Sequence, residues 1–273
     1  MRLGICQIKT RADKRETLDC AEEMLRYAAG QGAELLILPE MFQCPYHVRY
    51  FRDYAENARD GITLKRLAKL ARDCSVYIIG GSIPEEDDGR IYNTSFSFDP
   101  QGEIIGRHRK VHLFDIDVPG GITFRESDVL TAGDDVTVID TRFGKIGVAI
   151  CFDTRFPELM RCMALRGAKL IVAPSAYNMT TGPAHWEITA RMRALDNQLY
   201  FAFASTARDM DFSYHAYGHS MVVNPWGDIV ASLDEKPGVL IADIDLNDIE
   251  RYRTELPIMR SRREDVYNKT YPG

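Results

Sequence analysis

The pattern of apolar and polar positions in the first third of the chain predicts strands joined through helices. Residues 3–8 alternate as a strand, and residues 14–29 place their apolar side chains on one face of a helix. Residues 34–38, in which four apolar residues follow Glu34, are typical of a buried strand. The same order returns in the helical stripe of residues 64–71 and the apolar run of residues 76–79. Repeated strand–helix–strand units predict an α/β fold.

The rest of the chain adds antiparallel pairing to this pattern. Turn signals at residues 99–102 and 224–227 each predict a hairpin. Pro157 suits the first turn of a helix that ends near Gly167. Further elements are predicted as strands at residues 136–140, 146–150, 170–173 and 200–204, and as a helix at residues 186–197. About a dozen strands and four or five helices, without a linker-like segment, predict one domain over residues 1–273, built as two sheets with helices outside.

Composition narrows the functions that this fold could serve. The 273 residues carry a formal net charge of −6, so no global positive field exists to attract nucleic acid. No segment reaches the roughly 20 apolar residues of a membrane helix, and the first residues resemble a strand rather than a signal peptide. The six cysteines form no Cys-x-x-Cys pair and have no zinc-like histidine spacing. We therefore expect a cytoplasmic protein with reduced thiols, with no nucleic-acid or membrane partner and no metal site.

Three side chains of different chemistry follow predicted strands at the point where each strand ends. Glu40 follows the predicted strand at residues 34–38, Lys110 follows the second strand of the first hairpin, and Cys151 follows residues 146–150. In α/β folds the carboxyl ends of strands open onto the active-site crevice. We therefore expect a carboxylate, an ammonium and a thiol to meet there.

Together these three groups could break an amide bond. A thiol is only partly ionised at neutral pH, and a base such as Glu40 would turn Cys151 into a nucleophile by taking its proton. The oxyanion that forms on the attacked amide needs a fixed cation and a backbone N–H, for which the candidates are Lys110 and the N–H of Phe152. Taken alone, each residue type is more commonly structural, as a core cysteine, a capping or surface glutamate, or a solvated lysine. The hypothesis of an amide-cleaving site therefore rests on the combination of Glu40, Lys110 and Cys151.

The segments around these residues resemble the carbon-nitrogen hydrolases of the nitrilase superfamily. The resemblance covers essentially the whole chain and rests on three motif pieces in the family's order, at residues 38–42, 109–114 and 147–158. It implies an α/β fold that is an αββα four-layer sandwich of two mixed sheets flanked by helices. It also implies a Glu40, Lys110 and Cys151 catalytic triad, no metal or organic cofactor, and a homodimer or higher homo-oligomer.

Four further segments resemble the omega-amidases, which hydrolyse the terminal amide of 2-oxoglutaramate or 2-oxosuccinamate to the 2-oxo acid and ammonia. They are residues 114–120, 123–127, 180–187 and 218–227. The resemblance implies that Glu126 is a second catalytic glutamate, which helps orient Lys110 and the attacking water. It also implies that the substrate pocket is lined by Tyr46, Tyr177 and Thr181.

The α-carboxylate of such a substrate needs a cationic partner. A planar guanidinium binds a carboxylate through two parallel hydrogen bonds, and Arg155, four residues after the nucleophile, is placed to supply it. Without the resemblance, Arg155 would be interpreted as an exposed arginine at a helix start. Several positions depart from the omega-amidase pattern: Gln43, Cys44 and His47 replace its usual asparagine, serine and glycine, and Tyr177 stands where related enzymes often have phenylalanine. These departures leave the preferred acyl chain open.

Two other functions are compatible with the sequence. The chain could be another amidase of the same superfamily, such as a deaminated-glutathione amidase, an N-carbamoyl amino acid hydrolase or a nitrilase. It could instead be a catalytically silent scaffold of the same fold, although none of the three catalytic residues is lost. The tail at about residues 256–273 lacks clear periodicity, and we expect it to pack at a subunit interface.

Overall fold

The structure, a computed structural model, describes residues 1–270. Its strands are β1 (Arg2–Gln7), β2 (Leu35–Ile37), β3 (Glu56–Asn57), β4 (Tyr77–Ile79), β5 (Ile83–Asp87), β6 (Arg90–Phe98), β7 (Ile104–Arg109), β8 (Asp115–Asp117), β9 (Thr123–Arg125), β10 (Val138–Thr141), β11 (Gly144–Val148), β12 (Ala168–Ser175), β13 (Tyr200–Ser205), β14 (Met221–Val223), β15 (Ile229–Ser232) and β16 (Gly238–Asp243). Its α-helices are α1 (Lys14–Gly30), α2 (Val48–Tyr54), α3 (Ile62–Cys74), α4 (Pro157–Leu165), α5 (Gly182–Asn197), α6 (Ile249–Glu255) and α7 (Glu264–Thr270).

The predicted numbers of about a dozen strands and four or five helices are too low for residues 1–270. Most elements without a prediction are short: β3 has two residues, β8 and β9 have three each, and α2, α6 and α7 have seven each. Segments of this length contain too few positions to reveal a period of 2 or 3.6. Strands β5, with five residues, and β16, with six, also had no prediction. The longer predicted elements are present.

Two mixed sheets form the centre of the molecule. In the first sheet the strand order is β16-β1-β2-β4-β6-β5-β3, with β7 paired to β6. Its strands β1, β2 and β4 are parallel, as the strand–helix–strand pattern predicts. In the second sheet the order is β10-β11-β12-β13-β14-β15, with β11, β12 and β13 parallel at the centre. Strands β8 and β9 form a separate hairpin.

The side-chain alternation of β1 explains the layers. Leu3 and Ile5 belong to a buried core that also contains Val148 and Val172 of the second sheet. Cys6 points to the opposite face, where the core contains residues of α1 and α3. Helices α4 and α5 cover the outer face of the second sheet in the same way. The result is the predicted αββα sandwich, in which each sheet is apolar on both faces.

Two further sequence predictions concern the surface of the molecule. No helix among the residues described is long and apolar enough to cross a membrane. Of the predicted tail, residues 256–270 are described and include α7, whereas residues 271–273 lie outside the described residues.

Candidate active site

Glu40 follows β2 at a point where the backbone passes close to Gly81. Gly81 has a φ of +61°, and a Cβ atom at this position would collide with the carbonyl oxygen of Pro39. Only glycine adopts this conformation at little cost and leaves room for the close approach. The Glu40 side chain is fully buried, so its carboxylate needs hydrogen-bond donors within the protein.

The two carboxylate oxygens of Glu40 have different environments. Oε1 lies 2.9 Å from Nζ of Lys110, 2.8 Å from Nδ2 of Asn93 and 3.2 Å from the hydroxyl of Tyr46. Oε2 is buried and receives no hydrogen bond from a nitrogen or oxygen donor among residues 1–270. Oε2 is therefore the oxygen that is available to accept a proton.

Lys110 lies between two buried carboxylates. Its Nζ is 2.9 Å from Oε1 of Glu40 and 2.9 Å from Oε2 of Glu126, and all three side chains are fully buried. Glu126 also accepts hydrogen bonds from the Tyr46 hydroxyl at 2.7 Å and from the backbone N–H of Phe114 at 2.7 Å. Burial disfavours the charge on Lys110, but Glu126 and Glu40 together raise the pKa of Lys110 above its ordinary value. The ammonium is thus fixed in place and remains charged.

Cys151 begins a short 3-10 turn, Cys151–Arg155, that follows β11. Its φ is +43°, a left-handed conformation that costs a residue with a side chain about 1–3 kcal/mol. Burial raises the pKa of the Cys151 thiol well above its usual value; the charge of Glu40 adds to this effect, while Lys110 and the backbone N–H of Ala176 oppose it. The thiol is therefore protonated at neutral pH and requires a base.

The Glu40 carboxyl is suited to act as that base. Burial raises the pKa of Glu40, Lys110 opposes the rise, and Glu126 adds to it. A hydrogen bond between Glu40 and Cys151 acts on the pKa of both groups, and the charge of Glu40 also raises the pKa of the thiol. A carboxyl group with a raised pKa can accept the thiol proton and later release it.

Asp153 connects the Lys110 segment to the Cys151 turn. Its Oδ1 accepts hydrogen bonds from the backbone N–H groups of Val111 and His112, at 3.2 and 2.9 Å, and lies 2.8 Å from Nδ1 of His112. Its Oδ2 lies 3.0 Å from Nε2 of His108 and accepts the N–H of Ile150 at 3.0 Å. Burial acts to raise the pKa of Asp153, but the hydrogen bonds with the two histidines hold it below its usual range. One ionised carboxylate thus joins residues from both sheets.

Arg155 lies on the outer side of this cluster. Its guanidinium carbon is 4.6 Å from the ring centre of Tyr177, and its Nη1 is 3.0 Å from Nδ1 of His185. No carboxylate of the part of the chain that the structure describes lies within ion-pair distance of Arg155. Tyr177 is buried, which raises its pKa to about 12, and its hydroxyl lies 3.0 Å from Oγ1 of Thr154. Arg155 is therefore a half-buried cation with donors available to a ligand.

The remaining residues that were predicted to bind substrate or the oxyanion make the following contacts within the protein. Tyr46 donates to the carboxylates of the catalytic cluster. The Thr181 hydroxyl lies 3.3 Å from Oδ1 of Asn178, next to the start of α5, and has no hydrogen bond to Arg155 or Tyr177. The ring of Phe152 packs edge-on against Phe114, with ring centres 5.3 Å apart, which fixes the residue that carries the predicted oxyanion N–H.

The two unusual residues near Glu40 have separate environments. His47 precedes α2, and its Nδ1 accepts the backbone N–H of Arg49 at 3.2 Å. This contact makes His47 a helix cap. Cys44 is buried, and burial raises the pKa of its thiol above the usual value. Cys44 lines a small cavity together with Glu40 and Tyr46.

Comparison with known proteins identifies the family to which this site belongs. The family model described as carbon-nitrogen hydrolase matches residues 2–254. The chain belongs to the carbon-nitrogen hydrolase family. The hydrolase is 47% identical over 266 residues to omega-amidase NIT2 of Homo sapiens, covering 97% of the chain and 96% of the relative. It is 46% identical over 267 residues to omega-amidase NIT2 of Danio rerio, covering 98% and 96%.

A solved structure supports the same assignment. The hydrolase resembles the crystal structure of Saccharomyces cerevisiae Nit3, a member of branch 10 of the nitrilase superfamily, with a TM-score of 0.89 and 39% sequence identity. The similarity covers 96% of each chain. The predicted resemblance to the nitrilase superfamily and the predicted sandwich fold are confirmed, and the chain is a hydrolase that acts on amides.

Sequence reasoning missed three residues of the hydrolase site. Asn93 binds Glu40 from β6, and Asp153 joins the two sheets. Tyr214 packs against Tyr46 with ring centres 4.6 Å apart. Asp153 carried a signal, since it stands two residues after the nucleophile. No sequence pattern pointed to Asn93 or Tyr214, because their roles depend on contacts with segments that are distant in the sequence.

Proposed function

We propose that this hydrolase is an omega-amidase, which converts 2-oxoglutaramate or 2-oxosuccinamate to the 2-oxo acid and ammonia. The observation that carries the proposal is the buried cluster of Cys151, Glu40 and Lys110 at the carboxyl ends of strands from two sheets. The similarity over nearly the full length to proteins named omega-amidase supports the substrate class.

The first half of the proposed reaction forms a thioester. Oε2 of Glu40 takes the thiol proton as the sulfur of Cys151 attacks the amide carbon. Lys110 and the N–H of Phe152 stabilise the negative charge that develops on the amide oxygen. Glu40 then gives the proton to the leaving nitrogen, so that ammonia departs and the acyl group stays on sulfur.

The second half hydrolyses the thioester. Glu40 takes a proton from water, the water oxygen attacks the thioester carbon, and the proton returns to sulfur as the C–S bond breaks. Glu126 has a positioning role, because its carboxylate holds Lys110 at 2.9 Å and also binds the Tyr46 hydroxyl. The protein's own side chains supply every proton transfer in this scheme.

Arg155 is proposed to bind the α-carboxylate of the substrate. Arg155 has no carboxylate partner among residues 1–270, and a guanidinium offers two parallel donors to a carboxylate, whereas an ammonium acts as a point charge. Tyr177 supports this role, since its ring lies under the guanidinium. Thr181, at the start of α5, is proposed to line the same pocket.

Steady-state ammonia release from 2-oxoglutaramate tests the proposal, with Arg155→Lys alongside the wild type. We expect KM to rise about 10- to 100-fold in the variant, as loss of a charge-assisted hydrogen bond of about 1.5–3 kcal/mol requires. An aliphatic amide without a carboxylate is the control, because its KM should not change. Turnover of a nitrile or a carbamoyl amino acid in place of the omega-amide would refute the substrate class.

A test of the nucleophile separates the enzyme from a silent scaffold of the same fold. Intact-mass analysis after mixing with the omega-amide should reveal an acyl adduct on the wild type and none on Cys151→Ala. The variant should also lose ammonia release. An unchanged rate in Cys151→Ala would exclude the proposed chemistry.

We further propose a homodimer that packs through the outer face of α5. Apolar side chains are exposed there, with Ile188 at 61%, Met192 at 40% and Trp226 at 47%, around a cleft of about 430 Å³. Contiguous exposed apolar surface of this kind is typical of an interface between subunits. Ile188→Asp should shift the mass measured by size exclusion with light scattering to that of a monomer. An Ile188→Asp variant that remains a dimer would contradict the proposal that this surface forms the dimer interface.

The remaining proposals concern organisation and location. We propose that residues 1–273 form one hydrolase domain whose tail, from about residue 256, packs at the subunit interface. A chain that ends at residue 255 and remains a stable dimer would contradict the role of the tail. The proposed cytoplasmic location fits the six unpaired thiols. Cell fractionation tests it.

A further inference from the structure

A small cavity lies behind Glu40, and we name it the Asp209 cavity. Its volume is about 30 Å³, which is room for a molecule the size of water or ammonia. Glu40, Tyr46 and Cys44 form part of its wall, and Thr10, Thr206 and Asp209 form the part farther from the catalytic cluster. Arg155 and Tyr177 do not line it. The Asp209 cavity is therefore separate from the side of the site where the substrate carboxylate is proposed to bind.

Asp209 places an unused acceptor at this cavity. The residue is only 7% exposed, and its Oδ1 lies 3.0 Å from Nζ of Lys9. Its Oδ2 is buried and has no hydrogen-bond partner among residues 1–270. A buried carboxylate oxygen without a donor is costly, and such an oxygen at the wall of a polar cavity indicates that a donor binds there.

We propose that the Asp209 cavity binds ammonia or ammonium, the small product of amide hydrolysis, and that hydrolytic water enters by the same route. The inference rests on the proposed amidase function. Glu40 lines the cavity and is also the group that protonates the leaving nitrogen, so ammonia is released at its edge. Oδ1 of Asp209 pairs with Lys9, and its unpartnered Oδ2 then accepts a hydrogen bond from the ammonium ion.

The order of the chemical steps explains why a second route is needed. In the first step the S–C bond forms, the C–N bond breaks, and the thiol proton moves through Glu40 to nitrogen. The acyl group then occupies the Arg155 side until water attacks. In the second step the O–C bond forms, the C–S bond breaks, and a water proton moves through Glu40 to sulfur. Ammonia must therefore leave, and water must enter, while the acyl group still blocks the substrate side.

The first experiment compares Asp209→Asn with Asp211→Asn. Asp211 is a matched control, since it also binds Lys9, at 2.9 Å, but is exposed and does not line the cavity. Product inhibition by ammonium chloride is measured against the amide, with sodium chloride at equal ionic strength as reference. We expect the inhibition constant to rise at least about fivefold in Asp209→Asn, as loss of a charged hydrogen-bond partner requires, and to stay within twofold in Asp211→Asn. Equal constants in the two variants would overturn the proposal.

The second experiment fills the cavity. Ala207 is buried and lines it, so Ala207→Val adds two methyl groups to the wall. We expect deacylation to slow, so that the thioester accumulates in rapid-quench mass spectra, while single-turnover formation of the thioester stays within twofold. An unchanged steady-state thioester level in a folded Ala207→Val variant would overturn the route.

The two experiments distinguish this inference from the proposed substrate. Both use whichever amide the wild type hydrolyses, so failure to turn over an omega-amide would refute the omega-amidase proposal and leave the cavity test intact. Conversely, normal omega-amidase kinetics with identical ammonium inhibition in Asp209→Asn and Asp211→Asn would refute only the cavity.

Discussion

Replacing Lys110 by methionine tests whether its ammonium holds the buried carboxylates together. Nζ lies 2.9 Å from Glu40 and 2.9 Å from Glu126, and the three side chains are fully buried. Methionine retains most of the aliphatic stem but leaves two carboxylates facing each other without a cation. Removing one partner of a buried ion pair costs about 3–5 kcal/mol. We expect Lys110→Met to lower the free energy of unfolding at pH 7.5 by that amount.

The loss of stability in Lys110→Met should become smaller as the pH falls. Burial and the charge of Glu126 both raise the pKa of Glu40, and the opposing effect of Lys110 is lost once the ammonium is gone. A carboxyl group with a higher pKa in the folded state binds protons more tightly when folded, so stability rises as the pH falls toward the unfolded-state value of about 4.3. Each proton bound only by the folded state contributes about 1.4 kcal/mol per pH unit. Lys110→Met should therefore recover stability, relative to the wild type, on acidification from pH 7.5 to 5.5.

Urea unfolding followed by circular dichroism at pH 7.5, 6.5 and 5.5 measures both effects. The double variant Lys110→Met/Glu126→Gln is the control, because it removes one of the two facing carboxylates and should be more stable than Lys110→Met alone. A loss below about 1 kcal/mol that does not change with pH would show that the ammonium does not compensate these charges.

Three further substitutions test other parts of the site. Glu40→Gln should lower kcat about 10²- to 10⁴-fold in an ammonia-release assay, and a loss below tenfold would argue against its role as base. Asp153→Asn should lower the free energy of unfolding, measured by urea titration, by about 2–4 kcal/mol. Because the pKa of Asp153 is lowered in the folded state, the difference in stability between wild type and variant should shrink as the pH falls below about 4. Gly81→Ala should lower the free energy of unfolding by about 1–3 kcal/mol and also reduce kcat. Gly89 has a positive φ too, but with open space around it, so Gly89→Ala should lower stability without changing kcat. Equal kcat in the two glycine variants would contradict this reasoning.

The positions of the principal candidates could be predicted from the sequence because each follows a predicted strand. Glu40 and Cys151 stand just beyond apolar runs, and Lys110 follows the second strand of a hairpin whose turn has a clear sequence signal. The element count predicted two sheets with helices outside, the family resemblance added the four-layer αββα order, and the similarity to Saccharomyces cerevisiae Nit3 confirms the fold. The catalytic roles of these residues stay a proposal.

The rest of the site depends on contacts that no local pattern encodes. Asn93 appears in the sequence as one more residue of a strand, yet its amide binds Glu40, which is 53 positions away. Tyr46 was predicted to contact substrate, and that stays a prediction; the contact of its hydroxyl with the carboxylates of Glu40 and Glu126 had no signal in the sequence. Asp209 lies in a loop that has no period, so its unpartnered oxygen becomes visible only when the cavity is formed.

The proposed base and the proposed nucleophile follow strands of different sheets, and this division has a mechanical consequence. Glu40 follows a strand of the first sheet and Cys151 a strand of the second, with Ile5 and Val172 in the core between them. The separation of acid–base group and sulfur is therefore set by how thick that apolar layer is. A single methylene removed from its interior, or hydrostatic pressure applied to it, should change turnover while the chain is still folded. We therefore expect the catalytic rate of this hydrolase to depend on side-chain packing at core positions that do not contact the substrate.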